Sequence, residues 1–276
     1  MELAEKHLHL QETIARYQTV AVAFSGGVDS TLLLKVASDI LGKDKVLALT
    51  VSSPLYPDFE TAESQALARQ IGVRQLLVTK DPLADPEVAA NQPLRCYHCK
   101  KALYQQLQQL AAEHGYETVL DGSNLDDLDD YRPGQEALKE LQIASPLLET
   151  GFSKAEVRAL SRQLQLPSWN KQAFACLASR IPYGTSLTRE RLQQVDRCES
   201  WLREQGFTNY RVRYHHELAR IELPETELPR LLEAGLRQKL VTSFKAAGFT
   251  YVSLDLQGYR TGSMNETLLE QHEKTD

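Results

Sequence analysis

Short apolar runs alternate with helical patterns through the first two thirds of the chain. The runs at residues 19–24, 45–51 and 74–79 are rich in β-branched and aliphatic residues, and helices are expected from Thr31 and over residues 58–70. Because a crossover helix between successive strands gives parallel pairing, this rhythm predicts an α/β fold with a doubly wound parallel sheet. In such a sheet, ligands bind beyond the carboxyl ends of the strands.

The pattern changes after Gly184, where a helix over residues 188–205 precedes two strands, a long helix and a final strand. This order predicts a smaller α+β domain. We place the domain boundary in the Pro- and Gly-containing segment RIPYGT. Residues 1–183 are therefore assigned to the larger domain and residues 184–276 to the smaller one.

Charge and hydrophobicity exclude several classes of protein. The chain has 276 residues, of which 42% are hydrophobic, enough for an ordinary core. The formal net charge of −6 argues against a general nucleic-acid-binding surface, because such binding needs clustered Lys and Arg in excess. No apolar run reaches the roughly 20 residues that span a bilayer, and the N-terminal pattern is not that of a signal peptide. These features predict a cytoplasmic protein with neither a nucleic acid nor a membrane as its partner.

The segment SGGVDS, residues 25–30, follows an apolar strand and opens a helix. Gly26 and Gly27 allow a sharp turn that exposes successive N–H groups, and the helix N-terminus adds a positive dipole end. These features indicate a pyrophosphate-binding turn. No Lys-Ser or Lys-Thr pair follows the glycines, so the segment is not a Walker loop. The alternative is a plain Gly-Gly turn with a serine cap.

Two later segments contain candidate contacts for the same ligand. Residues 147–158 include Lys154 and Arg158 as candidate cations, with Lys154 favoured, although a capping box there also fits a solvated helix start. The acidic stretch after the strand ending near residue 120 contains Asp121 and Arg132, which suit metal and substrate contacts. An acidic loop of this kind can also be simply solvated.

Four cysteines are too few for a disulfide framework. Cys96 and Cys99 lie three residues apart where a helix is expected to begin, so both thiols share one face near a helix N-terminus, which favours thiolates. Cys176 follows a predicted helix, and Cys198 is expected to be a core residue. Cys96, Cys99 and Cys176 could hold an iron–sulfur cluster, bind zinc or form a redox disulfide. His98 is expected to point away from the face shared by Cys96 and Cys99, which leaves zinc without a fourth ligand.

The glycine turn resembles the PP-loop of N-type ATP pyrophosphatases, which have the adenine nucleotide alpha hydrolase-like fold. The segment around Lys154 resembles the second phosphate-contacting segment of that superfamily. In that superfamily ATP is cleaved between its α and β phosphates, and the adenylyl group activates a substrate oxygen. The resemblance implies ATP and Mg²⁺ as cofactors, with Asp29 orienting the metal. The residues that it assigns to the departing pyrophosphate are Ser25, Gly26, Gly27, Asp29 and Ser30.

Motifs along nearly the whole chain resemble the LarE family, the sulfur-insertion enzymes that build the nickel-pincer nucleotide cofactor of lactate racemase. The matching segments are SGGVDS, DGSNLDD, DYRPG, CLASRIPYGT, YRVRYH, ARIELPE and YRTGSMN. The resemblance implies that a carboxylate of pyridinium-3,5-biscarboxylic acid mononucleotide is adenylylated, attacked by a sulfur nucleophile and released as a thiocarboxylate.

The same resemblance assigns the sulfur chemistry to Cys176. In family members with this cysteine alone, the protein gives up its own sulfur and keeps dehydroalanine. Members with an additional CxxC pair resemble thiolation enzymes in which three thiolates hold a 4Fe–4S cluster with an open iron. Cys96, Cys99 and Cys176 would be those ligands here.

Further family positions fall in the smaller domain. Arg211 and Arg213 are two residues apart on one strand, so their side chains lie on the same face, about 7 Å apart. They match residues of the family that bind the substrate phosphate. The other matches are Ser179 and Arg180 in the substrate pocket and Glu199 and Glu222 in a divalent-metal site. Arg230 stands where that metal site has an aspartate. The family also implies a homo-oligomer.

Three other functions are weighed against this one. A tRNA thiolase needs a basic face that the smaller domain lacks. A synthetase that uses ammonia leaves the three cysteines unexplained. A nucleotide-binding regulatory module is distinguished by the absence of pyrophosphate release.

Overall fold

The computed structural model describes residues 2–128, 133–172 and 175–260. The strands are β1 (Val20–Ala23), β2 (Val46–Ser52), β3 (Arg74–Thr79), β4 (Thr118–Leu120), β5 (Arg211–His215), β6 (Leu218–Glu222) and β7 (Tyr251–Leu254). The helices are α1 (Leu3–Ile14), α2 (Val28–Leu41), α3 (Asp58–Ile71), α4 (Pro86–Ala89), α5 (Arg95–Glu113), α6 (Pro133–Glu140), α7 (Pro146–Glu149), α8 (Lys154–Gln163), α9 (Arg189–Glu204), α10 (Leu228–Leu231) and α11 (Ala234–Ala246).

The chain divides into two compact units, and the first contains residues 1–82 and 93–174. Its sheet has the order β3-β2-β1-β4, and every pair is parallel. The predicted parallel α/β fold is thereby confirmed. The chain moves outward from β1 to β3 and then crosses back to β4. This reversal creates a topological switch point between the carboxyl ends of β1 and β4, where α/β folds bind ligands.

Helices cover both faces of this sheet. Val20 and Val22 of β1 point into one cluster with residues of α1, α2 and α8, whereas Ala21 points into the opposite cluster with Tyr104 and Leu107 of α5. The period-two alternation of a strand sends neighbouring residues to opposite faces. Both faces of β1 are buried, which explains why this strand is continuously apolar rather than alternating.

The second unit contains residues 83–92 and 175–276. In its sheet β5 pairs antiparallel with β6, and β6 pairs parallel with β7. Helix α9 packs on β5 and α11 packs on α9. Cys198 of α9 is 1% exposed, which confirms it as a core residue, and burial raises the pKa of its thiol.

The unit boundary differs from the position expected from sequence. The second unit begins at residue 175, before the expected boundary after residue 183, and it also contains residues 83–92. The reason is a buried side chain. Asn91 Nδ2 donates to the carbonyls of Ile181, Pro182 and Thr185 at 3.3, 2.8 and 2.9 Å, so the segment that resembled a linker is bonded into this unit.

Among the residues that the structure describes, no helix is both long and apolar enough to span a membrane.

Candidate nucleotide site and cysteine segment

The turn after β1 requires glycine for two reasons. Gly26 has φ of +71°, in the left-handed region that side chains disfavour. A Cβ atom on Gly26 would also lie 3.1 Å from Cα of Ser64 in α3. Gly27 is extended and caps α2, so the helix begins at Val28, three residues before the expected start at Thr31.

Serine hydroxyls hold this turn in shape. Gly27 N donates to Ser25 Oγ at 3.2 Å, Ser25 Oγ lies 3.2 Å from Ser30 Oγ, and Ser30 Oγ donates to Gly27 O at 3.3 Å. The first hydrogen bond of α2 is donated by Thr31 N to Gly27 O. The N–H groups of residues 28–30 therefore precede the helical ladder, and together with the helix dipole they form an anion-binding end.

Three separate segments meet at Asp29 in the first turn of α2. Lys154 Nζ, at the start of α8, forms an ion pair with Asp29 Oδ2. Asn124 Nδ2, beyond β4, donates to Asp29 Oδ1 at 3.0 Å. A Cβ atom on Gly122 would lie 3.1 Å from Ser30 N, so a glycine is needed where the loop after β4 approaches the turn. The structure thus brings Lys154 together with the residues of the glycine turn.

Asp121 has a different environment from the one expected of a ligand contact. It is 7% exposed and accepts hydrogen bonds from Tyr104 Oη at 2.7 Å, Ser123 N at 2.8 Å and Ser145 Oγ at 3.3 Å. Burial and the Asp121 carboxylate raise the pKa of Tyr104, which keeps its hydroxyl protonated as a donor. Asp121 shapes the loop, and Asn124 is the residue of that loop that reaches Asp29.

Asn124 was not among the residues selected from the sequence. The available signal was its position, four residues beyond the end of β4 at the switch point. The predicted ATP contact Arg132 lies outside the residues that the structure describes.

The start of α8 distinguishes the two candidate cations. Arg158 donates to the carbonyls of Trp169 and Lys171 at 3.2 and 2.9 Å, so its guanidinium is bonded to another turn. Lys6 Nζ contacts both Glu156 carboxylate oxygens at 2.7 Å. The Lys6 and Ser153 contacts lower the pKa of Glu156 to about 2. This anchor fixes the helix end that presents Lys154.

Cys96 and Cys99 are the second and fifth residues of α5, and both are half-buried thiols outside any disulfide. Arg95 Nη2 lies 3.5 Å from Cys96 Sγ. In the second unit, Cys176 is also a half-buried free thiol and directly precedes a 3₁₀ turn, Leu177–Arg180. Within the described ranges, no three or more His, Cys, Asp or Glu side chains form a group able to hold a metal ion.

The two strand arginines of the second unit are buried, at 7% exposure for Arg211 and 5% for Arg213. Arg213 donates to Ser179 O at 3.0 Å and to Glu222 at 2.7 Å. Arg211 lies over the Tyr259 ring, with 5.1 Å from its guanidinium carbon to the ring centroid. Burial, and then the neighbouring Arg180, lower the pKa of Arg211, so a bound anion would relieve the crowding of positive charge.

The residues expected at a divalent-metal site do not fit one. Glu199 pairs with Arg180 through both carboxylate oxygens, and Glu222 pairs with Arg213 and Arg220. Arg230 is bonded to the carbonyls of Gln205 and Gly206. Because both carboxylates are buried against arginines, at 3% exposure for Glu199 and 0% for Glu222, and the third position is a cation, we assign no metal to them.

The first unit has the strand, glycine turn and helix of a PP-loop nucleotide-binding domain at the switch point of a parallel sheet. In agreement, the model of the NAD synthase family matches residues 3–100. Similarity to curated proteins extends much further along the chain and defines a narrower group.

A protein of Lactiplantibacillus plantarum named pyridinium-3,5-bisthiocarboxylic acid mononucleotide synthase is 43% identical over 266 residues, covering 96% of each chain. An uncharacterized protein of Synechocystis sp. is 45% identical over 266 residues, which is 96% of this chain and 99% of that one. An uncharacterized protein of Methanocaldococcus jannaschii is 28% identical over 242 residues, 88% of this chain and 91% of that one. The chain belongs to the LarE family, that of pyridinium-3,5-bisthiocarboxylic acid mononucleotide synthase.

Proposed function

We propose that this chain is an ATP-dependent sulfurtransferase that converts a carboxylate of pyridinium-3,5-biscarboxylic acid mononucleotide into a thiocarboxylate. The observation that carries the proposal is the meeting of Lys154 and Asn124 on Asp29 beside the glycine turn. The likeness to the synthase of L. plantarum runs along nearly the whole chain. The likeness to NAD synthase covers only residues 3–100 and supports ATP use alone.

In the first step, a carboxylate oxygen of the substrate attacks the α-phosphorus of ATP. The bond from that phosphorus to the oxygen bridging to the β-phosphorus breaks, and pyrophosphate leaves with the electron pair. The N–H groups at the start of α2, the Ser25 and Ser30 hydroxyls and Lys154 supply donors and positive charge where this negative charge develops. Asp29 would hold Mg²⁺, whose charge offsets that of the phosphates.

In the second step, a sulfur nucleophile attacks the carboxyl carbon of the acyl-adenylate, and the bond to the AMP oxygen breaks. We assign this nucleophile to Cys176, whose half-buried thiol is free. If the sulfur is that of the cysteine itself, loss of the Cα proton then breaks the Cβ–S bond and leaves dehydroalanine in the chain.

The pair Cys96 and Cys99 supports a second sulfur source, a 4Fe–4S cluster that these two thiolates and Cys176 would hold. Thiolates are the ligands that such clusters require, and the N-terminal end of α5 contains two cysteines at the spacing of a CxxC motif. A bound cluster with one iron free of protein ligands would supply sulfide in place of the cysteine sulfur.

We further propose that the substrate is a small nucleotide rather than a nucleic acid, in keeping with the net charge of −6, and that the chain forms a homo-oligomer. The buried arginines Arg211 and Arg213 are our candidates for the phosphate of that substrate.

The function can be tested on anaerobically purified protein. Iron and labile sulfide are measured first, and the protein is then mixed with ATP, Mg²⁺ and the substrate. Pyrophosphate release should require the substrate, and the product should have the mass of a thiocarboxylate. Loss of hydrogen sulfide from the polypeptide mass, located at residue 176 by peptide mass spectrometry, would identify Cys176 as the source, whereas an unchanged chain would identify a cluster-borne sulfide. Pyrophosphate release without any thiolated product would refute the proposal.

Replacing Lys154 by Ala should lower kcat/KM for pyrophosphate release by about 100-fold, the loss typical when one charge-stabilising donor is removed. Lys35→Ala is the matched control, because Lys35 also forms an ion pair with an aspartate, Asp39, but lies on the exposed side of α2. A surface pair of this kind contributes little, so the control should behave as wild type. Equal activity of the two variants would contradict the role of Lys154.

A further inference from the structure

The Arg180 side chain lies between the main chain of residues 175–176 and the carboxylate of Glu199. Nη1 donates to Ala175 O at 2.7 Å and to Cys176 O at 3.3 Å. Nε and Nη2 donate to the two oxygens of Glu199, each at 2.9 Å. Arg180 is 1% exposed and Glu199 is 3% exposed. One planar guanidinium therefore bonds the backbone of Cys176 to a buried carboxylate.

Glu199 is itself held by regular secondary structure. It lies within α9, and its Oε1 also accepts a hydrogen bond from Val212 N of β5 at 2.9 Å. Separating this buried pair would leave an unpaired charge, which is strongly unfavourable. The position of the segment around Cys176 is thus linked to both α9 and β5.

We propose that Arg180 and Glu199 are positioning residues that hold the backbone of Cys176. Every nitrogen of Arg180 and both carboxylate oxygens of Glu199 already have partners in the second unit. A substrate phosphate or a divalent cation would have to break the bidentate pair. The consequence for catalysis rests on the proposed function of Cys176 as the sulfur nucleophile.

The test is Arg180→Lys, which keeps the positive charge but removes the planar fork that reaches the backbone and the carboxylate at once. Alkylation of Cys176 by iodoacetamide is followed by peptide mass spectrometry, with Cys96 of the same molecules as the internal reference. The rate at Cys176 should rise by about fivefold, the factor that corresponds to a loss of about 1 kcal/mol from the hydrogen bonds that hold its backbone, with Cys96 unchanged.

In the same variant, thiocarboxylate formation at saturating substrate should fall by about tenfold or more, because misplacing a reacting group by 1 Å can cost about 100-fold. Pyrophosphate release should fall by a smaller factor than thiocarboxylate formation, because the proposed ATP contacts lie in the first unit and are unchanged. Arg191→Lys is the control, because Arg191 also donates to a backbone carbonyl, that of Ser186, in the same unit.

Glu199→Gln provides a second variant if thermal unfolding shows that Arg180→Lys is poorly folded, because it keeps an acceptor for Val212 N while removing the charge. Unchanged alkylation of Cys176 in both variants would refute the proposed clamp, by which Arg180 and Glu199 hold the backbone of Cys176. A raised KM with unchanged alkylation would instead assign Arg180 to substrate binding. If wild-type protein forms no thiocarboxylate, the proposed function fails, and the alkylation rates still decide whether the clamp exists.

Discussion

Replacing Asn124 by Asp removes one hydrogen-bond donor from the glycine turn and changes little else in shape. The Asn124 amide donates to Asp29 Oδ1 at 3.0 Å, while its carbonyl oxygen accepts from Asp126 N at 3.0 Å and caps the following turn. Aspartate keeps the cap but sets a carboxylate against Asp29. A hydrogen bond to a charged group contributes about 1.5–3 kcal/mol. At 1.36 kcal/mol for each factor of ten, kcat/KM for ATP should fall roughly 10- to 150-fold.

The assay is pyrophosphate release at fixed substrate, with ATP and Mg²⁺ each titrated. Because Asp29 is the proposed Mg²⁺ ligand, the half-saturating Mg²⁺ concentration should fall in the variant, since a second carboxylate beside Asp29 adds an oxygen ligand and negative charge. Asp127→Asn is the matched control, since Asp127 Oδ2 accepts from Asn124 N in the same capping turn without contacting Asp29. Thermal unfolding of both variants separates a loss of folded protein from a loss of catalysis.

Wild-type kcat/KM and an unchanged Mg²⁺ response in Asn124→Asp would refute the reasoning. An equal loss in Asp127→Asn would also refute it, because the effect would then arise from the capping turn rather than from the bond to Asp29.

Two further predictions concern the supports of this site. The pKa of Glu156 is lowered from 4.5 to about 2 by Lys6 and Ser153, so the stabilisation is complete above about pH 4.5 and is lost as the pH falls toward 2. Urea unfolding should show a weaker dependence on pH in Lys6→Met over that window, and an equal dependence would contradict the assignment. Gly26→Ala should be less stable than Gly151→Ala in thermal unfolding: both have left-handed φ, costing about 1–2 kcal/mol, but only Gly26 lies against backbone. Equal losses would show that the approach to Ser64 is unimportant.

Local sequence patterns were sufficient to predict the helices and strands and the position of the glycine turn. The helix expected over residues 58–70 is α3, Asp58–Ile71, and the helix expected over residues 188–205 is α9, Arg189–Glu204. Periodicity and capping act over a few residues, so they can be read without knowledge of the fold. The same holds for the left-handed turn at Gly26, although its close approach to Ser64 depends on the fold.

Sequence patterns could not tell which of two similar side chains on one helix contacts the site. Lys154 and Arg158 lie one turn apart on α8, yet only Lys154 reaches Asp29, and Arg158 is bonded to carbonyls of a later turn. The residue types and spacing of Lys154 and Arg158 do not specify which partner lies within reach of each side chain.

The sequence alone therefore determined the order of strands and helices, the glycine turn and the family, because these depend on short-range periodicity and on motifs. The tertiary structure decided that Asn124 meets Asp29, that Arg180 holds the backbone of Cys176, and that residues 83–92 belong to the second unit. These partners are distant in the chain. Their pairing is set by which charged and polar groups become buried together, since a buried group must find a partner that local sequence does not specify.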